Sequence, residues 1–260
     1  MKLLNQIIAL AVLSAFTLIS CSKDESGSDF GKLALSAKST TTATSSSKQA
    51  TSSKSVADGV AVTDFMINLV EFELELDVEE QELDVEEQEM EYDSDEHWDD
   101  DGAFDFEDEI ELEGPFTLDL MAGQISFLNV TVPNGNYEEL EFKINKNKDE
   151  NSEMFDKSVL IRGTVNDVPF IFWHNFMDEL EVDFEDPTID VTITGNTESL
   201  VIDFDLSLLF NAVGGIDLGQ ATDNNNDGTI EISPTDEDGN NDLAQAIRNR
   251  MRDIIDLIDD

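Results

Sequence analysis

Cysteine, histidine and positive charge are all scarce in this sequence of 260 residues. Cys21 is the only cysteine, so no disulfide can form within one chain, and the fold must be stabilised by its hydrophobic core. The two histidines, His97 and His174, lack the spacing of zinc ligands. No nucleophile elbow, glycine-rich phosphate loop or His-Glu-x-x-His motif occurs. We therefore expect a protein that is not an enzyme.

The shortage of positive charge limits the classes of partner. The chain has 14 Lys and Arg against 60 Asp and Glu, a formal net charge of −46. Phosphate binding depends on Lys and Arg, so we expect neither nucleic acid nor an anionic lipid surface as a partner. Cations or a basic protein partner are the expected counterparts. Acid is densest between Glu71 and Glu113, where 24 residues are Asp or Glu and none is Lys or Arg.

Residues 1–20 have the pattern of a removable targeting segment. Lys2 precedes an apolar run, Ile7–Ile19, that is too short for an ordinary membrane-spanning helix. The run ends in Leu18-Ile19-Ser20-Cys21, which resembles the lipobox of bacterial lipoproteins. That resemblance implies cleavage before Cys21, a diacylglyceryl group on its thiol, and a membrane anchor. The alternative is an ordinary secretory signal followed by a chance cysteine.

The segment after the cysteine is predicted to be a flexible tether. Residues 21–58 are rich in Ser, Thr, Ala and Lys, which bury too little surface to offset the entropy of ordering. Phe30–Leu35 is a candidate exception, as a first strand. Ser22-Lys23-Asp24-Glu25 resembles the acidic export signal of Bacteroidota surface lipoproteins, and this implies a location on the outer face of the outer membrane.

Residues 59–260 are predicted to form a single all-β domain. Apolar and acidic residues alternate along 71–79 and again along 104–112, which indicates two strands with acidic outer faces that could pair as a hairpin. Residues 79–103 between them are predicted to be an acidic surface insertion. It includes most of an exact duplication, since Leu76-Asp-Val-Glu-Glu-Gln-Glu82 is repeated at 83–89.

The remaining strands predict an antiparallel β-sandwich. Turn signals at 133–136, 166–167 and 195–196 separate short runs of alternating apolar residues, with no long helical pattern among them. Apolar residues at spacings of three and four over 243–258 predict a C-terminal amphipathic helix. It is expected to cover an edge or face of the sandwich; the alternative is a partner-binding helix.

The body of the chain resembles a family of lipoproteins known as a domain of unknown function. The resemblance rests on a strand near Phe65–Phe72, on Phe116-Thr-Leu-Asp-Leu120 leading to Val132-Pro-Asn-Gly-Asn-Tyr137, and on Leu200-Val-Ile-Asp-Phe-Asp205. It covers about residues 59–210 and implies a β-sandwich without an established chemistry. The acidic insertion and the Asn/Asp-rich tail depart from the pattern.

A calcium loop is the one chemical motif. Residues 223–231 resemble the first nine positions of EF-hand and dockerin-type loops, with oxygen ligands around a tight glycine turn. Position 12, normally a bidentate Glu, is Pro234, so a carboxylate from 236 or 238 is the expected substitute. An Asn/Asp/Gly turn without an ion is the alternative. The predicted ligands are Asp223, Asn225, Asp227, Thr229, Glu231, Asp236 and Asp238.

These patterns together favour a surface-exposed outer-membrane lipoprotein with a non-enzymatic binding or structural role, stabilised by Ca²⁺. The first alternative is a glycan-capturing or carbohydrate-active component of a surface uptake system, in which Trp98, Trp173 and Tyr137 would stack on sugars. The second is a structural or adhesive subunit that assembles through the C-terminal helix. Carboxylates that face one another on the acidic strands would also favour bound cations. The alternative is that dissolved salt screens the repulsion between them.

Overall fold

A computed structural model describes residues 30–41, 54–76, 109–183, 191–210 and 214–259. The predicted signal peptide, Cys21, Trp98 and the acidic insertion (79–103) lie outside the described residues. In chain order the strands are β1 (Phe30–Thr40), β2 (Lys54–Ala57), β3 (Val60–Leu76), β4 (Glu109–Asp119), β5 (Ile125–Pro133), β6 (Gly135–Ile144), β7 (Val159–Val165), β8 (Val168–His174), β9 (Asp178–Asp183), β10 (Val191–Ile193), β11 (Thr197–Asp205), β12 (Ile230–Ile232) and β13 (Ile255–Asp259). The α-helices are α1 (Leu206–Leu209) and α2 (Asn241–Arg250), and 3₁₀ turns lie at Leu120–Ala122, Leu218–Gln220 and Met251–Ile254.

The described residues form two sheets, and the predicted all-β sandwich is confirmed. The small sheet has the strand order β13-β11-β1-β5. Its central strand β1 runs parallel to β11 and antiparallel to β5, so the sheet is mixed. Alternation fixes the buried face of β1, on which Leu33, Leu35 and Ala37 are buried.

The long sheet is organised around β3, which is 17 residues long. The first half of β3 pairs with β2 on one side and β7 on the other, and its second half pairs with β4 and β6. Strands β8 and β12 extend the sheet beyond β7, and β9 and β10 both pair with β6. Register shifts near Asp64 and Val70 accommodate the change of partners, as β-bulges do.

The hydrophobic core lies between the two sheets. Phe65 of the long sheet meets Phe204 of the small sheet edge to face, with ring centroids 5.8 Å apart. Phe72 packs against Phe127 and Phe142 at centroid distances of 5.1 and 6.0 Å. These rings are contributed by the apolar positions of the alternating strands, so the period-two pattern of the sequence is what places them between the sheets.

The predicted tether (21–58) is wrong in extent. Strand β1 is the centre of the small sheet and continues to Thr40, beyond the predicted Phe30–Leu35, and β2 pairs with β3. Segment 32–40 is rich in Ser, Ala and Lys, yet its small side chains fit a strand covered by neighbours: Ser36 and Ser39 are buried. The hydroxyl of Ser39 donates to the carbonyl of Leu120 (2.8 Å), which compensates for the burial of a polar group.

The predicted C-terminal helix (243–258) is wrong in its second half. Helix α2 ends at Arg250, a 3₁₀ turn follows, and 255–259 form β13 on the edge of the small sheet. Ala244, Ile247, Met251 and Ile254 are buried, so the amphipathic pattern holds through the turn. Beyond it, the apolar spacing also fits a strand, and pairing with β11 supplies backbone hydrogen bonds that a frayed helix end lacks.

Two predictions are confirmed over the described residues: the pairing of the acidic strands and the two-residue turn at 166–167. Strand β4 pairs with β3 from Asp119 opposite Met66 to Glu109 opposite Glu75, so the two acidic strands are neighbours. Strands β7 and β8 are joined by Asn166 and Asp167, whose φ angles of 50° and 69° are those of a type I′ turn. Both residue types tolerate positive φ, which is why the sequence could signal this turn.

Candidate functional site

The acidic strands form one face of the long sheet, here called the acidic face. In backbone register, four strands in the order β4-β3-β6-β9 align twelve positions in three rows. The rows are Glu113–Glu71–Lys143–Glu179, Glu111–Glu73–Glu141–Glu181 and Glu109–Glu75–Glu139–Asp183. Eleven of these twelve positions carry Asp or Glu. The intervening residues of the same strands, such as Phe72, Leu74, Leu140 and Phe142, are buried in the core.

Lys143 is the cation of the acidic face and is shared by several carboxylates. Its ammonium group forms an ion pair with Glu71 and lies 3.3 Å from Glu179 and 3.8 Å from Glu73. The hydrogen bond to Glu71 is the main reason that the pKa of Lys143 is raised, against the opposing effect of partial burial. One positive charge thus serves the first row and part of the second.

The middle row has carboxylates opposite carboxylates. Glu141 lies between Glu73 and Glu181 in register. Partial burial, followed by the hydrogen bond and negative charge of Glu179, raises the pKa of Glu141, while Glu139 and Lys143 oppose this. A raised carboxyl pKa means that the ionised form is disfavoured in the fold. The acidic face is therefore a region in which added positive charge would be stabilising.

The candidate calcium loop is held as a tight turn by its own backbone. The carboxylate of Asp223 accepts the N–H groups of Asp227 (3.2 Å) and Gly228 (2.9 Å). Asn225 also accepts from the N–H of Asp227 (2.8 Å), and Asp227 accepts from the N–H of Thr229 (2.9 Å). The φ of Gly228 is 91°, so glycine is needed there. The structure thus brings together four of the predicted ligands in one turn.

Asp238 connects this turn to the next segment. Its side chain is buried, and its two carboxylate oxygens accept the N–H groups of Asn225 (3.1 Å) and Glu231 (2.8 Å). These backbone hydrogen bonds, that of Glu231 first, hold the pKa of Asp238 below its ordinary value despite burial. Asp238 therefore acts as a fixed anion that closes the loop.

Two other predicted ligands are directed elsewhere. Asp236 accepts the N–H groups of Ser233 (2.8 Å) and Asn240 (2.9 Å), so it organises the following turn. The side chain of Glu231 accepts from the indole N–H of Trp173 at 3.4 Å. Their carboxylates are engaged by donors outside the 223–229 turn, and a calcium-binding role for either residue stays a prediction.

Sequence reasoning missed Asn240, the residue that joins the loop to its surroundings. Its amide donates to the carbonyl oxygens of Thr222 (2.8 Å) and Glu231 (2.7 Å), and its side-chain oxygen accepts the N–H of Thr222 (3.1 Å). Asn240 also precedes helix α2. An Asn just before a helical pattern was the available signal, but it pointed to a helix cap and not to a contact 18 residues away.

The loop suits calcium in ligand type but is not assembled as a carboxylate cage. The side chains of Asp223, Asn225, Asp227 and Asp238 offer only oxygen ligands, as Ca²⁺ prefers. A carboxylate can accept about four hydrogen bonds or metal contacts, so Asp223 and Asp238 retain capacity beyond their backbone partners. Within the described residues, however, no group of three or more His, Cys, Asp or Glu is placed to hold a metal ion.

The two candidates for sugar stacking that the structure describes, Tyr137 and Trp173, differ in exposure. Tyr137 is fully buried and donates to the carbonyl of Pro133 (2.8 Å), so it cannot stack on a ligand. Trp173 is half-buried on the outer side of β8, with the ammonium group of Lys157 6.0 Å from its ring centroid.

His174 is buried, and its Nδ1 accepts the N–H of Phe176. Burial, followed by the charge of Arg248, lowers the pKa of His174. This contact gives His174 a structural role.

No family model matches the chain, and no curated protein or solved structure matches it either. The resemblances to lipoproteins therefore stay predictions. In the part of the chain that the structure describes, none of the helices has the length and apolar character needed to cross a membrane.

Proposed function

We propose that this protein is a surface-exposed outer-membrane lipoprotein with a non-enzymatic binding or structural role. The observation that carries the proposal is the sequence Leu18-Ile19-Ser20-Cys21 after an apolar run, with Cys21 the only cysteine in the chain. A diacylglyceryl group requires a thiol, and a folded body that lacks disulfides leaves this thiol free for modification. The Ser22-Lys23-Asp24-Glu25 sequence supports a surface location.

The acidic face is the part of the folded body that we expect to meet a partner. Three of its outward carboxylates, Glu111, Glu113 and Glu179, are exposed. The partner is a basic protein or a set of cations, because positive charge would relieve opposed carboxylates that Lys143 alone cannot neutralise. Calcium at the 223–227 turn, with Asp238 closing it, would stabilise the segment between β11 and α2.

Lipidation is tested first, since the location depends on it. The full chain is expressed in a bacterium with lipoprotein processing, labelled with an alkyne fatty acid, and fractionated; surface protease treatment of whole cells reports exposure. We expect label and outer-membrane location in the native chain, loss of both in Cys21→Ser, and no change in the matched Ser22→Ala variant. Label that persists in Cys21→Ser, or an unlabelled soluble native chain, would contradict the proposal.

Calcium binding is tested on residues 22–260 by calorimetry and thermal unfolding, with magnesium as the competing ion. We expect heat of binding and a raised Tm, both lost in Asp223→Ala/Asp227→Ala. Asp242→Ala, which removes an exposed carboxylate in the first turn of α2, is the matched control and should bind normally. If the double variant binds as the native chain does, the ion is not in this turn.

A glycan-capturing role is the second candidate, and Trp173 is the observation that favours it. The ring is half-buried, and a carboxylate from Glu231 and an ammonium group from Lys157 lie beside it. An aromatic face flanked by polar groups can stack on a sugar ring. Titration of a panel of oligosaccharides, followed by Trp173 fluorescence in a Trp98→Phe background, decides this. A change in fluorescence that is lost in Glu231→Gln would favour capture of glycans.

A further inference from the structure

The folded body begins close to the proposed anchor. Strand β1 starts at Phe30, so only eight residues, 22–29, separate it from Cys21. A link from Cys21 to Phe30 spans about 30 Å at most, whatever its conformation. The end of the body that carries Phe30 is therefore held near the bilayer.

That end is defined by three neighbouring segments, here called the Phe30 end. Phe30 pairs with Pro133 at the close of β5, and the N–H of Lys32 donates to the carbonyl of Asn196 (2.9 Å). The turns at 134–135 and 195–196 lie beside this pair of strands. Leu76, opposite Tyr137, places the last residue of β3 at the same end.

The opposite end is far from the anchor. Strand β3 runs from Val60, opposite Val165, to Leu76, and 17 residues of strand extend about 55 Å. The Asn166–Asp167 hairpin turn therefore lies at the far end of the long sheet. Because the link reaches about 30 Å at most, it holds the Phe30 end near the bilayer and places no such limit on the hairpin turn.

The surface of the Phe30 end has the chemistry of the membrane interface. Phe30 is 41% exposed and Lys32 is exposed beside it. Around them a depression is lined by Thr131, Gly195, Asn196 and Thr197, and its described lining contains no carboxylate. Aromatic rings and lysines are the residues that settle at the headgroup level of bilayers. In a chain with 60 Asp and Glu, a patch of this composition stands out.

We propose that the Phe30 end rests on the surface of the bilayer that holds the lipid of Cys21, with the Phe30 ring at headgroup level and Lys32 near lipid phosphates. The inference rests on the proposed lipid anchor. The preferred surface is zwitterionic phospholipid, because β3 and β4 open at this same end onto residues 77–108, which include 18 Asp or Glu. A strongly anionic bilayer would repel that charge.

The experiment replaces the biological anchor with a chemical one. The mature chain, residues 21–260, is coupled through Cys21 to a maleimide lipid in phosphatidylcholine vesicles that contain brominated acyl chains. A single tryptophan is placed by Phe30→Trp in a Trp98→Phe/Trp173→Phe background, and quenching by bromine reports its depth. Val168→Trp in the same background is the matched control, since Val168 is 38% exposed and adjoins the Asn166–Asp167 turn.

We expect at least threefold stronger quenching at position 30 than at position 168. Quenching at position 30 should become weaker when phosphatidylserine replaces much of the phosphatidylcholine. Asn196→Trp should also be quenched, and less so after Phe30→Ser/Lys32→Ser, with circular dichroism showing that each variant is folded. Equal quenching at 30 and 168, or none at either, would overturn the inference. Because the lipid is attached chemically, this result does not depend on whether cells lipidate Cys21. The fatty-acid labelling experiment tests lipidation in cells separately.

Discussion

Carboxylates are concentrated in two regions of this protein, and different groups surround them in each region. In the turn at 223–238, Asp223 and Asp238 each accept two backbone N–H groups. On the acidic face, carboxylates stand opposite carboxylates in all three rows, and Lys143 is the cation among the twelve positions. Backbone N–H groups thus hold the carboxylates in the first region, whereas in the second region the carboxylates face one another across neighbouring strands.

The pKa directions follow this difference. Backbone hydrogen bonds lower the pKa of Asp238, whereas burial and a neighbouring carboxylate raise the pKa of Glu141. Ionised carboxylates therefore stabilise the turn and destabilise the acidic face. The turn, which has the calcium-loop sequence, is already organised by internal hydrogen bonds. The acidic face has no such motif, yet it is the region where positive charge would do more for stability.

The largest effect is expected from removing the anion that closes the turn. Asp238→Asn keeps the shape of the side chain but replaces one acceptor oxygen with an amide group that faces an N–H donor. We expect a loss of about 3 kcal/mol in the free energy of unfolding, because a buried charge-assisted hydrogen bond is lost and two donors, the new NH2 group and a backbone N–H, face each other without an acceptor. Urea unfolding of residues 22–260 with a calcium chelator present measures it.

Asp242→Asn is the control for this change. Asp242 is exposed in the first turn of α2, where its charge favours the helix by about 0.5 kcal/mol. Equal losses in the two variants would mean that Asp238 behaves as a surface charge, and the contrast between the two regions would fail.

Much of the fold could be predicted because its strands alternate. Phe72, Leu74, Leu140 and Phe142 occupy the buried positions of two acidic strands, and their period of two was visible in the sequence. The parallel pairing of β1 with β11 was not visible, since it joins segments more than 150 residues apart and depends on the packing of the sheets. The end of α2 was missed because the isoleucines at 254, 255 and 258 satisfy helix and strand periods alike.

The site was predictable in residue type but not in assembly. The spacing of Asp223, Asn225 and Asp227 around Gly228 indicates a tight turn, and the turn is there. The sequence could not show that Asp236 serves a different turn, or that Asp238 is buried and bound to backbone N–H groups. Nor could it show the four-strand register of the acidic face, which requires β6 and β9 beside β3.

Removing the cation of the acidic face is the next test. Lys143→Met removes the ammonium group that Glu71, Glu73 and Glu179 share, and we expect a loss of about 1 kcal/mol at low ionic strength. The loss should shrink in about 1 M NaCl, where charges are screened over roughly 3 Å. Lys146→Met, which removes an exposed pair with Asp156, is the control, with an expected loss of about 0.3 kcal/mol. A loss in Lys143→Met that is independent of salt would indicate packing and not charge.

Adding a cation to the middle row should have the reverse sign. Glu111→Lys places a positive charge opposite Glu73, and Glu111 is exposed, so the longer side chain has room. We expect a gain of about 0.5 kcal/mol in the free energy of unfolding at low salt, because a like-charge pair becomes an opposite-charge pair. Glu150→Lys makes the same change of charge at an exposed position outside the acidic face and should be nearly neutral. Equal gains in both would show that only net charge matters.

The smallest effect is a difference between pH profiles. The folded pKa of Glu141 is raised above its ordinary value of 4.5, so its ionised form opposes folding, and this penalty is removed as the pH falls through the raised value. The folded pKa of Asp238 is lowered below its ordinary 3.8, so its contribution is present above pH 3.8 and is lost as the pH falls through the lowered value. The free energy of unfolding should therefore rise from neutral pH into mildly acidic solution and then fall.

Glu141→Gln tests the source of this rise, because glutamine cannot titrate. It should reduce the rise by about 0.3 kcal/mol, a small amount because solvent screens a partly exposed side chain, while Glu150→Gln should leave the rise unchanged. Urea unfolding at matched ionic strength across this pH range measures the free energy of unfolding of both variants. A rise in Glu141→Gln as large as that of the native chain would mean that the repulsion comes from another row of the acidic face.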